Sequence, residues 1–211
     1  MLFSDIRHGP RETIVTELRD YPDWHRGRLH YGVWIVPIDD PSLLHYIASV
    51  QRRLDDLLHP GLQRQPHLTV FVCGFEQHVC TADDDFSLLQ RRAQTSALHR
   101  VRGRSCRLPL AAPDSFASAA FIPVGDPEQR LARWREVLGR EAREVRQAAY
   151  VPHITLGLYR QKVMAADLRR RLSEIEPPSM PLNVESLHYA TYHAHQQWGP
   201  LESRFRLTLD A

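Results

Sequence analysis

Hydrophobic positions recur along this chain with periods that change several times, and each change marks the edge of an element. Leu29 to Ile38 (LHYGVWIVPI) is a run of β-branched and aromatic residues that stops at Asp39-Asp40-Pro41, as a strand closed by a turn would. Directly after it, Leu43, Leu44, Ile47, Val50, Leu54 and Leu57 fall at helical spacing, which predicts an amphipathic helix ending near His59-Pro60-Gly61. Pro66 then leads into a second strand, His67 to Phe75 (HLTVFVCGF). The acidic cluster Asp83 to Asp85 suits the positive end of a helix dipole, so a helix is expected from there to about Val101. Two short strands follow near Ser105 to Leu110 and Phe116 to Val124. Asp126-Pro127-Glu128 then opens a helix with Leu131, Trp134, Val137 and Leu138 on one face.

The earlier pattern now returns. Val151-Pro152 precedes a strand, His153 to Tyr159 (HITLGLY), and a helix near Ala165 to Glu174 ends before Pro177-Pro178. Closing strands are expected over about Leu182 to Tyr192 and Leu201 to Leu209, on either side of Gly199-Pro200. Strands that neighbour strands, mixed with helices, make the class α+β, and the two halves look alike. Residues 1–28 show no clear period beyond Ile14 and Leu18 and are expected to form an N-terminal extension to a body spanning 29–211.

Composition narrows the class of protein. A chain of 211 residues, 43% hydrophobic and 25% charged, can bury a core without disulfides or metal, which excludes disorder and a disulfide scaffold. The longest apolar run, Tyr31 to Ile38, is far short of the roughly 20 residues that span a bilayer. The start, MLFSDIRHGPRE, has acid and Pro where a signal peptide needs an apolar stretch. Cys73, Cys80 and Cys106 match no CxxC spacing, and a cytoplasmic, reduced protein is expected. Cys73 reads as a core residue. Cys80 lies close to His78, but two ligands do not make a metal site. The net charge of +2 argues against a non-specific nucleic-acid coat. All but one of the 27 basic residues are arginine, whose planar fork suits phosphate, although a GC-biased genome produces the same excess.

The most informative residues are PHLTV (66–70) and PHITL (152–156). With 12 His and 8 Thr in the chain, fewer than one His-x-Thr is expected by chance, and a preceding Pro makes it rarer still. In a strand, residues i and i+2 share a face. His67 and Thr69 therefore project together while Leu68 and Val70 turn into the core, and His153 and Thr155 do the same against Ile154 and Leu156. Side by side, the two strands would line one cleft with two imidazoles and two hydroxyls, a cradle for one phosphate. One neutral imidazole could take a proton from an attacking oxygen while the other, protonated, gives one to the leaving oxygen. An unperturbed His titrates at about 6.5, so both forms coexist near neutrality. No metal or cofactor is required, and the chain lacks the carboxylate cluster of a two-metal nuclease.

At these motifs the sequence resembles the 2H phosphoesterase superfamily, also described as the 2′-5′ RNA ligase or cyclic phosphodiesterase family. Its hallmark is two His-x-Thr/Ser motifs, each followed by an apolar residue, and here they stand 86 residues apart. Gly74 falls where the family often has Gly after the strand, and Leu187 to Leu207 looks like its closing hairpin. The resemblance spans about residues 29 to 209. It implies two similar lobes with antiparallel sheets facing a central cleft, His67 and His153 as acid and base, and Thr69 and Thr155 on phosphate. It further implies a nucleotide or RNA-end substrate bearing a 2′,3′-cyclic phosphate or 2′-5′ linkage, with hydrolysis and reverse ligation both open. Family members of the RNA-ligase type carry Arg just after the second motif, whereas Gly157-Leu158-Tyr159 precede Arg160 here.

Tyr150 and Tyr192 are candidates to stack on a base and Arg160 to reach phosphate; packing and an exposed strand end are the plainer readings. A monomer with no membrane contact is expected. One rival keeps the fold without catalysis, as a nucleotide- or RNA-binding module using the same cleft. Another places zinc on His193 and His195, two ligands on one strand face lacking a third.

Overall fold

The computed structural model describes residues 1–61, 63–145 and 148–210, so only Ala211 of the expected body's closing end lies outside it. In chain order the elements are α1 (Pro22–His25), β1 (His30–Pro37), α2 (Pro41–Arg53), β2 (His67–Gln77), β3 (Asp85–Ser87), α3 (Leu88–Val101), β4 (Cys106–Leu108), β5 (Asp114–Ser115), β6 (Ala119–Pro123), α4 (Arg130–Glu141), β7 (His153–Leu158), α5 (Ala165–Ser173), β8 (Leu182–Val184), β9 (Ser186–His193), a 3₁₀ turn (Ala194–Gln196) and β10 (Glu202–Thr208). The class is α+β, as the pattern predicts. The main sheet runs β10-β9-β1-β2-β7-β6-β5, with β3 added in parallel to β2, and β4 pairs with β8 separately.

The two halves obey one rule, visible in the sequence once the structure shows where to look. Pro37, Asp40, Pro41, Pro66, His67 and Thr69 recur 86 positions later as Pro123, Asp126, Pro127, Pro152, His153 and Thr155. In the first half the register sets Pro37 opposite His67, Val36 opposite Leu68 and Ile35 opposite Thr69. The second half repeats it, with Pro123 opposite His153, Ile122 opposite Ile154 and Phe121 opposite Thr155. Each proline ends its strand, because it has no N–H to continue the ladder. Asp40 then starts α2, its Oδ1 accepting from Ser42 N (2.8 Å) and Leu43 N (3.1 Å). Asp126 is the counterpart before α4, with Oδ2 accepting from Ala132 N at 2.9 Å.

The two motif strands, β2 and β7, meet at a single antiparallel pair, Leu68 opposite Ile154, where both side chains are fully buried. Truncating either to Ala would cost about 2–5 kcal/mol. With no further ladder between β2 and β7, their backbone groups need other partners. Side chains and loops from the opposite half supply them. Arg135 of α4 donates to Val70 O (2.6 Å), and Gln51 of α2 donates to Leu156 O (2.8 Å); these carbonyls sit three residues after each motif histidine. Tyr150 Oη donates to Thr69 O (2.9 Å), Val72 N donates to Glu144 Oε1 (3.1 Å), and His59 N donates to Leu158 O (2.9 Å). Strands held apart in this way leave a cleft between them.

One face of the sheet carries the main core: Trp34, Val36, Leu68, Val70, Ile122, Ile154 and Leu156 pack on α2 and α4, α2 lying against β7 and α4 against β2. Buried Gln94 ties α3 in, accepting from Trp34 Nε1 (2.8 Å) and donating to Leu138 O (3.0 Å). Cys73 is buried there, as expected, and Cys80 is exposed. The opposite face carries a small second cluster, Tyr31, Val33, Ile35, Phe75, Ala190, Ala194 and Leu201, joined by Trp24 and Tyr192.

Two segments differ from the expectation. Asp83 to Asp85 do not start a helix. Asp85 opens β3, and α3 begins after Ser87, which forms a reciprocal capping box with Gln90. Asp85 is instead enclosed with Arg28 Nη1 (2.8 Å) and the N–H groups of Thr81 (2.8 Å) and Ala82 (2.9 Å). Burial pushes its carboxyl up, but these donors outweigh burial and hold it below the usual value. Residues 1–28, in turn, are built into the body. Phe3 is fully buried, Thr13 N and Thr16 N donate to Val163 O and Tyr159 O in the second half, and Arg28 reaches Asp84 and Asp85 in the first. No helix among the described residues is long and apolar enough to cross a membrane.

Candidate active site

His67 and Thr69 on β2, and His153 and Thr155 on β7, all line one cavity of about 410 Å³. β2 and β7 run antiparallel through the Leu68–Ile154 pair, each with its motif His just before that residue and its motif Thr just after it. Each ring is fixed the same way: Nδ1 of His67 lies 2.7 Å from Gln65 O, and Nδ1 of His153 lies 2.6 Å from Val151 O. A carbonyl only accepts, so Nδ1 carries the proton in both and Nε2 is the nitrogen left for chemistry.

The surroundings break the symmetry. Beside His67 stands Arg64, whose Nε donates to Gly199 O (2.8 Å), whose Nη2 donates to Gln197 O, and whose guanidinium lies 4.1 Å from the centre of the Tyr192 ring. Burial, with the nearby Arg64 and His153 charges, pushes His67 down to about 4 against the opposing hydrogen bond to Gln65. His67 is therefore neutral at pH 7. His153 is flanked by Phe116 (5.0 Å, 80°) and Phe121 (5.3 Å, 62°), whose rings meet it at steep angles. An aromatic wall completes the cavity: Trp24, Tyr31, Tyr192 and Trp198. Trp24 lies 5.0 Å from Tyr31, which lies 5.4 Å from Tyr192. Burial pushes the Tyr192 hydroxyl up to about 12, so it stays protonated. The Trp198 indole N–H is buried without an acceptor.

Of the residues singled out in the sequence, the cavity gathers His67, Thr69, His153, Thr155 and Tyr192. Tyr150 and Arg160 are not among its lining. Tyr150 is turned to the Thr69 carbonyl and stacked under Arg135, whose guanidinium carbon lies 3.6 Å from its ring centre. Arg160 is exposed, with Nε donating to Asp56 O at 3.1 Å. Arg64, Gln65, Trp24, Tyr31 and Trp198 were missed. Arg64 had a signal, since it stands two residues before Pro66 as Tyr150 stands two before Pro152.

Residues 39–196 match the family model of the 2′-5′ RNA ligase superfamily. The chain belongs to that superfamily. Solved structures with the same fold include E. coli LigT in apo form, at 17% identity and TM-score 0.54 over 88% of this chain and 100% of LigT. LigT complexed with phosphate aligns with a TM-score of 0.56, again at 17% identity with the same coverage of both chains. A conserved protein of unknown function from Agrobacterium tumefaciens, ATU0111, aligns at 11% identity and TM-score 0.59, over 98% of this chain and 95% of its own. No curated protein matches the sequence. Both motifs lie inside the superfamily match, whereas Trp24, Tyr31 and Trp198 lie outside it.

His193 and His195 do not share a strand face. His193 ends β9 opposite His30, and His195 lies in the 3₁₀ turn, where it joins Asp20 and His25 in a group whose ligand atoms lie within 4.8 Å of one another. His25 Nδ1 accepts from Gly27 N (2.9 Å), so its proton sits on Nε2 and is given to Asp20 Oδ1 (3.0 Å); Asp20 Oδ2 meets His195 Nδ1 at 3.1 Å. A metal would have to displace that proton from a ring whose other nitrogen is already an acceptor. As it stands, the group is a hydrogen-bonded latch between the N-terminal segment and the turn after β9.

Proposed function

We propose that this protein is a two-histidine phosphodiesterase acting on nucleotide or RNA-end substrates with a 2′,3′-cyclic phosphate or a 2′-5′ linkage. The observation that carries this reading is the pair of Nδ1-anchored imidazoles that share one cavity with two threonine hydroxyls. Membership of the 2′-5′ RNA ligase superfamily supports it. So do the LigT structures complexed with 3′-AMP and ATP, which place a nucleotide on the same fold.

In this reading, neutral His67 takes a proton from water through Nε2 as the water oxygen bonds to phosphorus. His153, protonated, gives its proton to the departing ribose oxygen as the phosphorus–oxygen bond breaks, leaving a phosphate monoester. Thr69 and Thr155 donate to the non-bridging oxygens, on which charge builds up. The same step run backwards exchanges the two roles, and a 5′-hydroxyl in the place of water would give ligation. The chemistry invokes the chain's own side chains and no cofactor. Incubating the purified protein with a 2′,3′-cyclic nucleotide should yield one monoester, and His67→Ala should slow it about 10²- to 10⁴-fold. A cleft that only binds would show nucleotide affinity without turnover.

A further inference from the structure

The most enclosed arginines near the two motif strands are partnered by acids, with one exception. Arg28 meets Asp84 (2.6 Å) and Asp85 (2.8 Å), and Arg135 meets Glu144 (2.6 Å). Arg64 faces the cleft beside His67, and among the described residues no carboxylate pairs with it. Among the described residues it donates to two neutral carbonyls, which use two of its five N–H donors, and lies over the face of Tyr192, with no counter-charge to balance it. Burying a charge is costly unless a counter-charge meets it, and burial pushes Arg64 down from its usual value. A pin for the turn after β9 would need only the carbonyl bonds and would sit as well outside the cavity.

We propose that Arg64 is the anion anchor of the cleft, its free guanidinium N–H groups taking the anionic oxygen of a phosphate mono- or diester held between the two His-x-Thr motifs. This deepens the phosphodiesterase reading for the reaction itself, although phosphate binding can be tested without turnover. The anchor also explains why a cation is tolerated next to a proton acceptor. In the empty cleft Arg64 helps keep His67 neutral. A bound phosphate cancels that charge, so His67 becomes a stronger base once substrate is in place.

Inorganic phosphate binding, measured by calorimetry at pH 7 on the full chain, tests the assignment. Arg64→Gln should weaken phosphate about 10- to 100-fold, the range for losing hydrogen bonds to a charged group. Arg64→Lys keeps the charge and should recover most of that loss. NMR titration supplies a readout that a turn pin would not move: phosphate should raise the His67 midpoint in wild type, and the same phosphate concentration should leave it nearly unmoved in Arg64→Gln. Should Arg64→Gln fail to fold, Arg64→Lys decides alone, retained affinity supporting the anchor and a loss beyond tenfold overturning it. Wild type that binds no phosphate, or Arg64→Gln that binds it like wild type, also overturns it. Arg64-dependent phosphate binding without turnover of a cyclic nucleotide would sink the phosphodiesterase reading and leave the anchor standing.

Discussion

His67 and His153 begin strands of the same pattern, follow a proline, face a proline on the neighbouring strand, and are pinned through Nδ1 to the carbonyl two residues back. The repeated backbone thus delivers two equivalent imidazoles to one cavity. What differs is the company each keeps. His67 has a cation and an aromatic wall beside it, and His153 has two phenylalanine rings. A repeated scaffold positions both groups, and the neighbours of His67 lower its affinity for a proton. The same separation of tasks marks the chain: both motifs fall within residues 39–196, while Trp24, Tyr31 and Trp198 of the wall lie outside them.

The comparison is best broken by removing its members in turn. His67→Ala and His153→Ala should each lower kcat/KM about 10²- to 10⁴-fold. The double variant should be little worse than either single, because the pair acts as a unit. A loss confined to one of them would show that the halves are not equivalent in the reaction. Thr69→Ala and Thr155→Ala come next, at about 10- to 100-fold each, since each removes one hydroxyl from an anionic oxygen.

The asymmetry can be sharpened with pH. With His67 lowered to about 4, its neutral form persists where an ordinary imidazole is half protonated, so the acid limb of kcat/KM should lie near pH 4 in the free protein. Stability carries the same sign. Between about 6.5 and 4 the unfolded chain binds the proton that folded His67 refuses, so His67's share of stability is intact above 6.5 and is lost as pH falls through that window. Urea unfolding of wild type and His67→Ala across it should show the variant losing less.

A smaller effect is expected at Tyr150. Tyr150→Phe removes the donor to the Thr69 carbonyl and should cost about 0.5–1.5 kcal/mol in urea unfolding, with a few-fold loss of rate. Arg160→Ala should change turnover least, because its guanidinium faces Asp56 on the exposed side.

Much of this was legible in the sequence. The alternation within HLTV and HITL put Leu68, Val70, Ile154 and Leu156 in the core and the His-Thr pairs on the other face, and the burial pattern agrees. The α+β class followed from the same periods. The segments that escaped depend on distant partners. Asp85 looks like a helix-start acid until Arg28 arrives from 57 residues away. Trp24 sits in a stretch without periodicity and gains its place only by packing on Tyr31 and Phe75. Tyr150 was singled out as a stacking residue because exposure cannot be read from one aromatic position, and the Thr69 carbonyl claims its hydroxyl.

The central claim is that two matched histidines act as a proton-transfer pair, and hydrolysis of a 2′,3′-cyclic nucleotide in excess EDTA tests it most directly. The account predicts turnover by wild type that EDTA leaves unchanged and that falls at least about 10²-fold in both His67→Ala and His153→Ala. A double His→Ala variant that turns over substrate like wild type would contradict it.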